Sequence, residues 1–299
     1  MMAVNIAGIE MKNPVTTASG TFGSGREYGE FIDLNGLGAI TVKGVSYKPW
    51  PGNQTPRISE VYGGMLNSIG LQNPGVYDFI KNDLPYLQGF NTKIIVNICG
   101  HTVEEYCMVA EALESTAVDM LELNISCPNI QDGGMAFGTD RVLTEKVVHA
   151  VKKSTSKPLI VKLSPNVSNI VEIAKAAEAG GADALSLINT LLGMKIDIHK
   201  RAAVLHNKMG GLSGPAVKPV AIRMVYQVSK AVLLPVIGMG GIMNAEDAIE
   251  FIMAGATAVA VGTANFTNPY ACKEIVDGIE AFMRDHDIKN VADIRGIVE

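Results

Sequence analysis

Eight short apolar runs alternate with helical patterns, and each ends at or next to a polar residue or a glycine. Together these features predict an α/β fold, a (β/α)8 TIM barrel with its active site at the C-terminal rim of the strands. The chain has 299 residues, about the length of one such barrel, and 47% of them are hydrophobic, enough for a sizeable core. The runs are Pro14–Ser19, Ala39–Lys43, Lys93–Asn97, Met120–Asn124, Leu159–Leu163, Ala184–Asn189, Val236–Gly238 and Ala258–Gly262. Most are rich in Ile, Val and Leu without alternation, as parallel strands covered on both faces are. No linker-like stretch interrupts them, so residues 1–299 read as a single domain. A doubly wound sheet is the competitor, but no Gly-x-Gly-x-x-Gly follows the first run.

Each element in turn carries its own signal. Ser19 closes the first run, and Lys43 interrupts apolar surroundings at the end of the second. The stretch Asn67-Ser68-Ile69-Gly70-Leu71, continuing through Gln72-Asn73-Pro74-Gly75, reads as a polar, turn-rich loop. Asn97 closes the third run. Thr102-Val103-Glu104-Glu105 then has capping-box spacing before an apolar-periodic helix. The fourth run ends at Asn124, three residues before Cys127. Lys162 lies near the end of the fifth, and Ser168-Asn169-Ile170-Val171-Glu172 opens a helix that stops at Gly180-Gly181. Asn189-Thr190 close the sixth, with Ile188 just before them. Gly238-Met239-Gly240-Gly241 follow the seventh, and Asn244-Ala245-Glu246-Asp247 open the next helix. Gly262-Thr263 follow the eighth. In a barrel these ends share one rim, where catalytic residues gather.

Composition narrows the partners. The net charge of −5, with no Lys/Arg block, argues against nucleic acid or an anionic membrane. No apolar run approaches the roughly 20 residues of a membrane-spanning helix, and the N-terminal stretch has no signal-peptide pattern. A soluble, reduced cytoplasmic setting is therefore expected. Cys99, Cys107, Cys127 and Cys272 form no CxxC pair, so no iron–sulfur cluster or structural zinc is expected on this chain. The five histidines show no ligand spacing, and no catalytic metal is expected.

The rim residues suggest chemistry. Two glycine-rich turns after the last two strands occupy the common phosphate position of barrels, so a phosphorylated ligand is expected. Lys43 and Lys162 fit either of two roles. One is a Schiff-base amine, and the other is a cation beside an electron-rich ring or a carboxylate. Several asparagine amides suit a flat heterocycle with alternating N–H and C=O groups. Cys127 could be a base, a nucleophile or merely a packed thiol.

Taken together, Asn124-Ile125-Ser126-Cys127-Pro128-Asn129 with Gly133-Gly134-x-x-Phe137-Gly138 resembles the class 1 dihydroorotate dehydrogenases. So do Thr41-Val42-Lys43-Gly44, Asn67 to Leu71, Val161-Lys162-Leu163, Asn189-Thr190, Gly214, and Gly240-Gly241 with Gly262-Thr263. The match runs in register from Ser19 to about Phe266. Cysteine at position 127 resembles class 1, and the Gly-Gly-x-x-Phe-Gly continuation resembles class 1B, the NAD-linked catalytic subunit. Ile130-Gln131-Asp132 stands where the family often carries a basic residue.

The resemblance implies FMN as the phosphorylated ligand, one per chain. Ser19, Lys43, Gly44, Asn97, Asn124, Lys162, Ile188 and Gly214 would surround it, and Gly240, Gly241, Gly262 and Thr263 would hold its phosphate. Lys43, Asn67, Ser68, Ile69, Gly70, Leu71, Asn124, Asn189 and Thr190 would hold dihydroorotate or orotate. Cys127 would remove the proton from substrate C5 as hydride leaves C6 for the flavin, in de novo pyrimidine biosynthesis. Electrons would pass to NAD through a partner subunit carrying FAD and a 2Fe–2S cluster, with a homodimer at the centre of a heterotetramer. The alternatives are a fumarate-dependent class 1A enzyme, a dihydropyrimidine-type flavin dehydrogenase, and a Schiff-base lyase barrel using Lys162.

Overall fold

The computed structural model describes residues 1–125 and 134–299. Eight strands form one all-parallel sheet: β1 Val15–Thr17, β2 Ala39–Val45, β3 Lys93–Ile98, β4 Met120–Asn124, β5 Leu159–Lys162, β6 Ala184–Leu187, β7 Val236–Met239 and β8 Ala258–Val261. Their order is β1-β8-β7-β6-β5-β4-β3-β2, so chain neighbours are sheet neighbours all the way round, as in a (β/α)8 barrel. All eight coincide with the predicted runs, with no end shifted by more than two residues.

The seam between β1 and β2 closes differently from the other seven. Gly38 N–H donates to the Val15 carbonyl at 3.1 Å. Beyond that point the Thr17 hydroxyl takes over, accepting from Thr41 N–H at 3.0 Å and donating to the Thr41 carbonyl at 3.1 Å. A side chain thus completes the backbone ladder.

Helices pack outside the sheet, among them α1 Val103–Glu114, α2 Arg141–Lys153, α3 Ile170–Ala179, α4 Lys218–Ser229, α5 Ala245–Met253 and α6 Ala271–Asp285. In α1 the buried residues Tyr106, Val109, Ala110 and Leu113 recur at helical spacing and face the sheet. Capping begins where the sequence predicts it, with three refinements. Thr102 Oγ1 accepts from Glu105 N–H, but the Glu105 carboxylate reaches past Thr102 to His101 N–H at 2.7 Å. The Asp247 carboxylate likewise accepts from Met243 N–H at 2.8 Å, one residue before the Asn244 cap. The cap of α3 is Asn169 rather than Ser168, because the Asn169 side chain accepts from Val171 N–H.

Strand residues divide by period two between two cores. Ile40, Val42, Val96, Leu121, Leu123, Val161 and Leu185 point outward into the layer shared with the helices. Ala39, Ile95, Met120, Ile160, Ala184, Ile237 and Ala258 point inward, where they meet Ile6 and Met11. The latter two belong to a hairpin, Val4–Ile6 with Ile9–Met11, that plugs the N-terminal end of the barrel. Two residues further along each strand the inward positions are Thr41, Asn97, Glu122, Lys162 and Ser186 on β2 to β6, but Met239 and Ala260 on β7 and β8. With Thr16 of β1 hydrogen-bonded to Thr41 at the same level, the barrel interior therefore changes from apolar to polar toward its C-terminal end on every strand but β7 and β8.

Four further strands, absent from the sequence reading, build an antiparallel sheet above the rim. They are Ile58–Val61, Gly64–Asn67, Leu191–Met194 and Met209–Ser213. Excursions after β2 and β6 supply two strands each, joined by pairing of Met65–Asn67 with Gly211–Ser213. Asn67, expected in a loop, instead ends a strand. Among the described residues, no helix is long and apolar enough to cross a membrane.

Candidate active site

The chemistry of the rim begins inside the barrel. Lys162 and Glu122 are the only buried charged side chains among the described residues, exposed 5% and 2%. The Lys162 ammonium lies 3.6 Å from a Glu122 oxygen. The same carboxylate accepts from Asn97 Nδ2 at 2.6 Å and from the Ser186 hydroxyl at 3.2 Å. Asn124 Nδ2 donates in turn to Asn97 Oδ1 at 3.4 Å. Strand register produces this cluster, since Asn97 pairs with Glu122, and Lys162 pairs with both Asn124 and Ser186. A buried carboxylate is tolerated only when paired and hydrogen-bonded, and here it has a cation and two donors.

Above the cluster opens a cavity, lined by all but two of the described residues that the sequence nominates. Ser19, Lys43, Gly44, Asn124, Lys162, Ile188, Gly214, Gly240, Gly241, Gly262 and Thr263 line it. So do Asn67, Ile69, Gly70, Leu71, Asn189 and Thr190. Asn97 is not on the wall. It is fully buried one layer below, where it bridges Glu122 and Asn124. Ser68 is also buried, with its N–H given to the Arg57 carbonyl at 2.7 Å and its carbonyl accepting from Asn53 Nδ2 at 3.1 Å. Cys127 lies outside the described residues. The flanks of its segment are held by Tyr106, which donates to the Asn124 carbonyl at 2.7 Å and meets the Phe137 ring edge-on.

Glycine is required at several points of this wall. A Cβ on Gly44 would lie 2.7 Å from Asn97 Oδ1, so any side chain there would displace the amide network. Gly214, Gly240 and Gly241 have φ of 110°, 122° and 84°, the region that favours glycine. A Cβ on Gly241 would meet Gly214 O and Lys218 N, each at 2.9 Å. Two turns and the start of α4 thus converge on a concave strip of bare backbone, which fits a phosphate. The Lys218 ammonium is directed elsewhere, to Asp247 and Glu250, and hydrogen bonds to these carboxylates hold its pKa above the usual lysine value. Thr263 Oγ1 donates to Ser213 Oγ at 2.8 Å, tying the eighth-strand turn to the antiparallel sheet.

The substrate-side loop is equally supported. Asn73 Oδ1 accepts from Ser46 N–H and Gly75 N–H, while its Nδ2 donates to the Leu71 carbonyl at 2.7 Å. Leu71 has φ of 51°, a turn that this bond fixes. Asn166 ties the neighbouring loops together by donating to the Thr190 carbonyl at 3.0 Å and accepting from Leu192 N–H at 2.9 Å.

Sequence reasoning missed Gly20, Thr21, Met65, Leu212, Ser213 and Phe266 on the wall, and Glu122 beneath it. Met65, Leu212 and Ser213 belong to excursions whose position depends on distant pairing. Glu122 did leave a signal: it is a charge inside an apolar run, at an inward position two before Asn124. Among the described residues no group of three or more His, Cys, Asp and Glu could hold a metal.

Residues 1–283 match the family model described as dihydroorotate dehydrogenase. The chain is 65% identical over 295 residues to a protein of Alkaliphilus metalliredigens, covering 99% of this chain and 98% of the relative. It is 66% identical over 296 residues to one of Lachnoclostridium phytofermentans, covering 99% of each. A third, from Geobacter sp. strain M21, is 58% identical over 299 residues, covering 100% of this chain and 98% of that one. All three relatives are named dihydroorotate dehydrogenase B (NAD(+)), catalytic subunit.

Proposed function

The chain belongs to the dihydroorotate dehydrogenase family, and we propose that it is an NAD-linked catalytic subunit that oxidises dihydroorotate to orotate in pyrimidine biosynthesis. The observation that carries the proposal is the convergence of two lysines, three asparagines and a bare-backbone strip on one cavity. Gly240, Gly241, Gly262 and Thr263 would hold the phosphate of FMN, which would supply a hydride acceptor. Lys162 and Ser19 would flank its ring system, with Lys43, Gly44, Asn124, Ile188 and Gly214 around it and Asn97 supporting from below. Residues 1–299 then read as a single FMN-binding barrel domain.

The chain's own residues do the rest. Asn67, Asn124, Asn189 and Thr190 would present amide and hydroxyl groups to the pyrimidine ring, fixing its rotation in the plane. Ser68, Ile69, Gly70 and Leu71 would form the backbone edge beside them, and Lys43 would pair with the substrate carboxylate. Cys127 would accept the proton from C5 of the substrate. Schiff-base chemistry needs a free neutral amine. Lys162 instead forms an ion pair with Glu122, which removes the support for a lyase.

The relatives' name, catalytic subunit, supports a partner subunit. In this proposal the partner carries FAD and a 2Fe–2S cluster and passes electrons to NAD, around a homodimer of this chain. A reduced cytoplasmic setting is part of the same proposal, and Cys107 and Cys272 are free thiols. The test is anaerobic addition of dihydroorotate to the purified protein. Bleaching of the flavin absorbance by dihydroorotate but not by dihydrouracil is the expected result. A colourless protein, or fumarate-dependent turnover by this chain alone, would overturn it.

A further inference from the structure

Glu122 has no part in the chemistry above, yet a carboxylate is costly to bury and a hydrophobic pair of similar size would pack as well. Its placement is specific. It lies below the cavity wall, touching Lys162, Asn97 and Ser186, while Lys162 itself lines the cavity. A ligand in the cavity therefore faces the ammonium first and the carboxylate behind it.

We infer that Glu122 is a positioning residue whose buried charge, set behind Lys162 and opposing its field, tunes how tightly the bound flavin holds its electrons; this rests on the flavin reading above. A hydride entering a neutral ring leaves one negative charge there, and a nearby cation stabilises that charge. Lys162 alone would hold the electrons strongly. Glu122 opposes that field from behind while keeping the ammonium on the wall. An enzyme that passes its electrons onward needs such a balance, because a reduced cofactor stabilised too well does not release them.

The experiment is a reference-dye titration of the midpoint potential of flavin-loaded protein, with flavin affinity measured in parallel. Four proteins are compared: wild type, Glu122→Gln, Lys162→Met and the double variant. Glu122→Gln is expected to raise the potential, favouring the reduced form on the order of tenfold. For a two-electron couple that is about 30 mV. Lys162→Met is expected to lower it, and the double variant to lie above Lys162→Met. Should Glu122→Gln fail to fold, Lys162→Met is compared with the double variant at alkaline pH, where a Glu122 stripped of its cation carries its charge and the double variant leaves no buried ion unpaired. A merely structural Glu122 would weaken flavin binding without raising the potential. Flavin bound at an unchanged or lower potential in Glu122→Gln, or a double variant equal to Lys162→Met, would overturn the inference alone. Wild-type protein that binds no flavin would overturn the functional reading with it.

Discussion

Two cysteines show how context divides one residue type into different roles. Cys272 sits on α6 with its thiol facing Asn265 Oδ1 at 3.2 Å, and burial pushes its pKa up to about 12. An unfolded thiol titrates near about 8.5. Between these values the unfolded chain loses a proton that the folded chain keeps, so this contribution to stability is full below the lower value and is lost as pH rises toward the upper. Urea midpoints across that alkaline range should fall more steeply for wild type than for Cys272→Ala. Equal slopes would refute the assignment. Cys127 is the opposite case, a thiol proposed to react. If it is the base, Cys127→Ser and Cys127→Ala should slow flavin reduction by dihydroorotate at neutral pH by about 100-fold or more, a typical general-base contribution. Wild-type rates should rise with pH as the thiolate forms. Near wild-type rates in either variant would place the base elsewhere.

At the scale of elements, the seam between β1 and β2 is the point most dependent on a single side chain. Thr17 both donates to and accepts from the Thr41 backbone. Thr17→Val keeps the shape but leaves Thr41 N–H buried without its acceptor, which costs roughly 1–3 kcal/mol. Denaturant unfolding should show that loss with little change in the slope, and an unchanged midpoint would mean that the barrel closes by other contacts. The antiparallel sheet is the second dependent element. Its residues Met65, Asn67, Leu212 and Ser213 line the cavity, so the ligand-binding surface is shared between the barrel and an addition to it.

For the whole molecule, the division of charge inside the barrel sets direction. The interior is apolar at the hairpin-plugged end and polar toward the rim, so charged and amide groups meet a ligand only from one side. Under the proposed function, the chain alone is expected to take electrons from dihydroorotate but not to deliver them to NAD. Stopped-flow reduction of the flavin should proceed without a partner, while NADH formation should require the proposed electron-transfer subunit. NADH formation by the isolated chain would refute the division of labour.

The amino-acid sequence by itself determined the eight strands, their order and the residues at their ends, because apolar period, capping and turn chemistry are properties of short windows. It also placed Lys43, Asn124, Lys162, Asn189 and the glycine turns on one rim, since a barrel brings every strand end to the same side. What it left open required knowledge of the register in which neighbouring strands pair, and of how the excursions pair with one another. Only the folded chain turned Asn97 from a wall residue into a support, or drew Asn67 into a sheet with Gly211. Only there does Glu122 meet Lys162, 40 positions along the chain, at 3.6 Å. Local patterns fix which way a side chain points, but the energy of a buried pair depends on a partner that no local window contains.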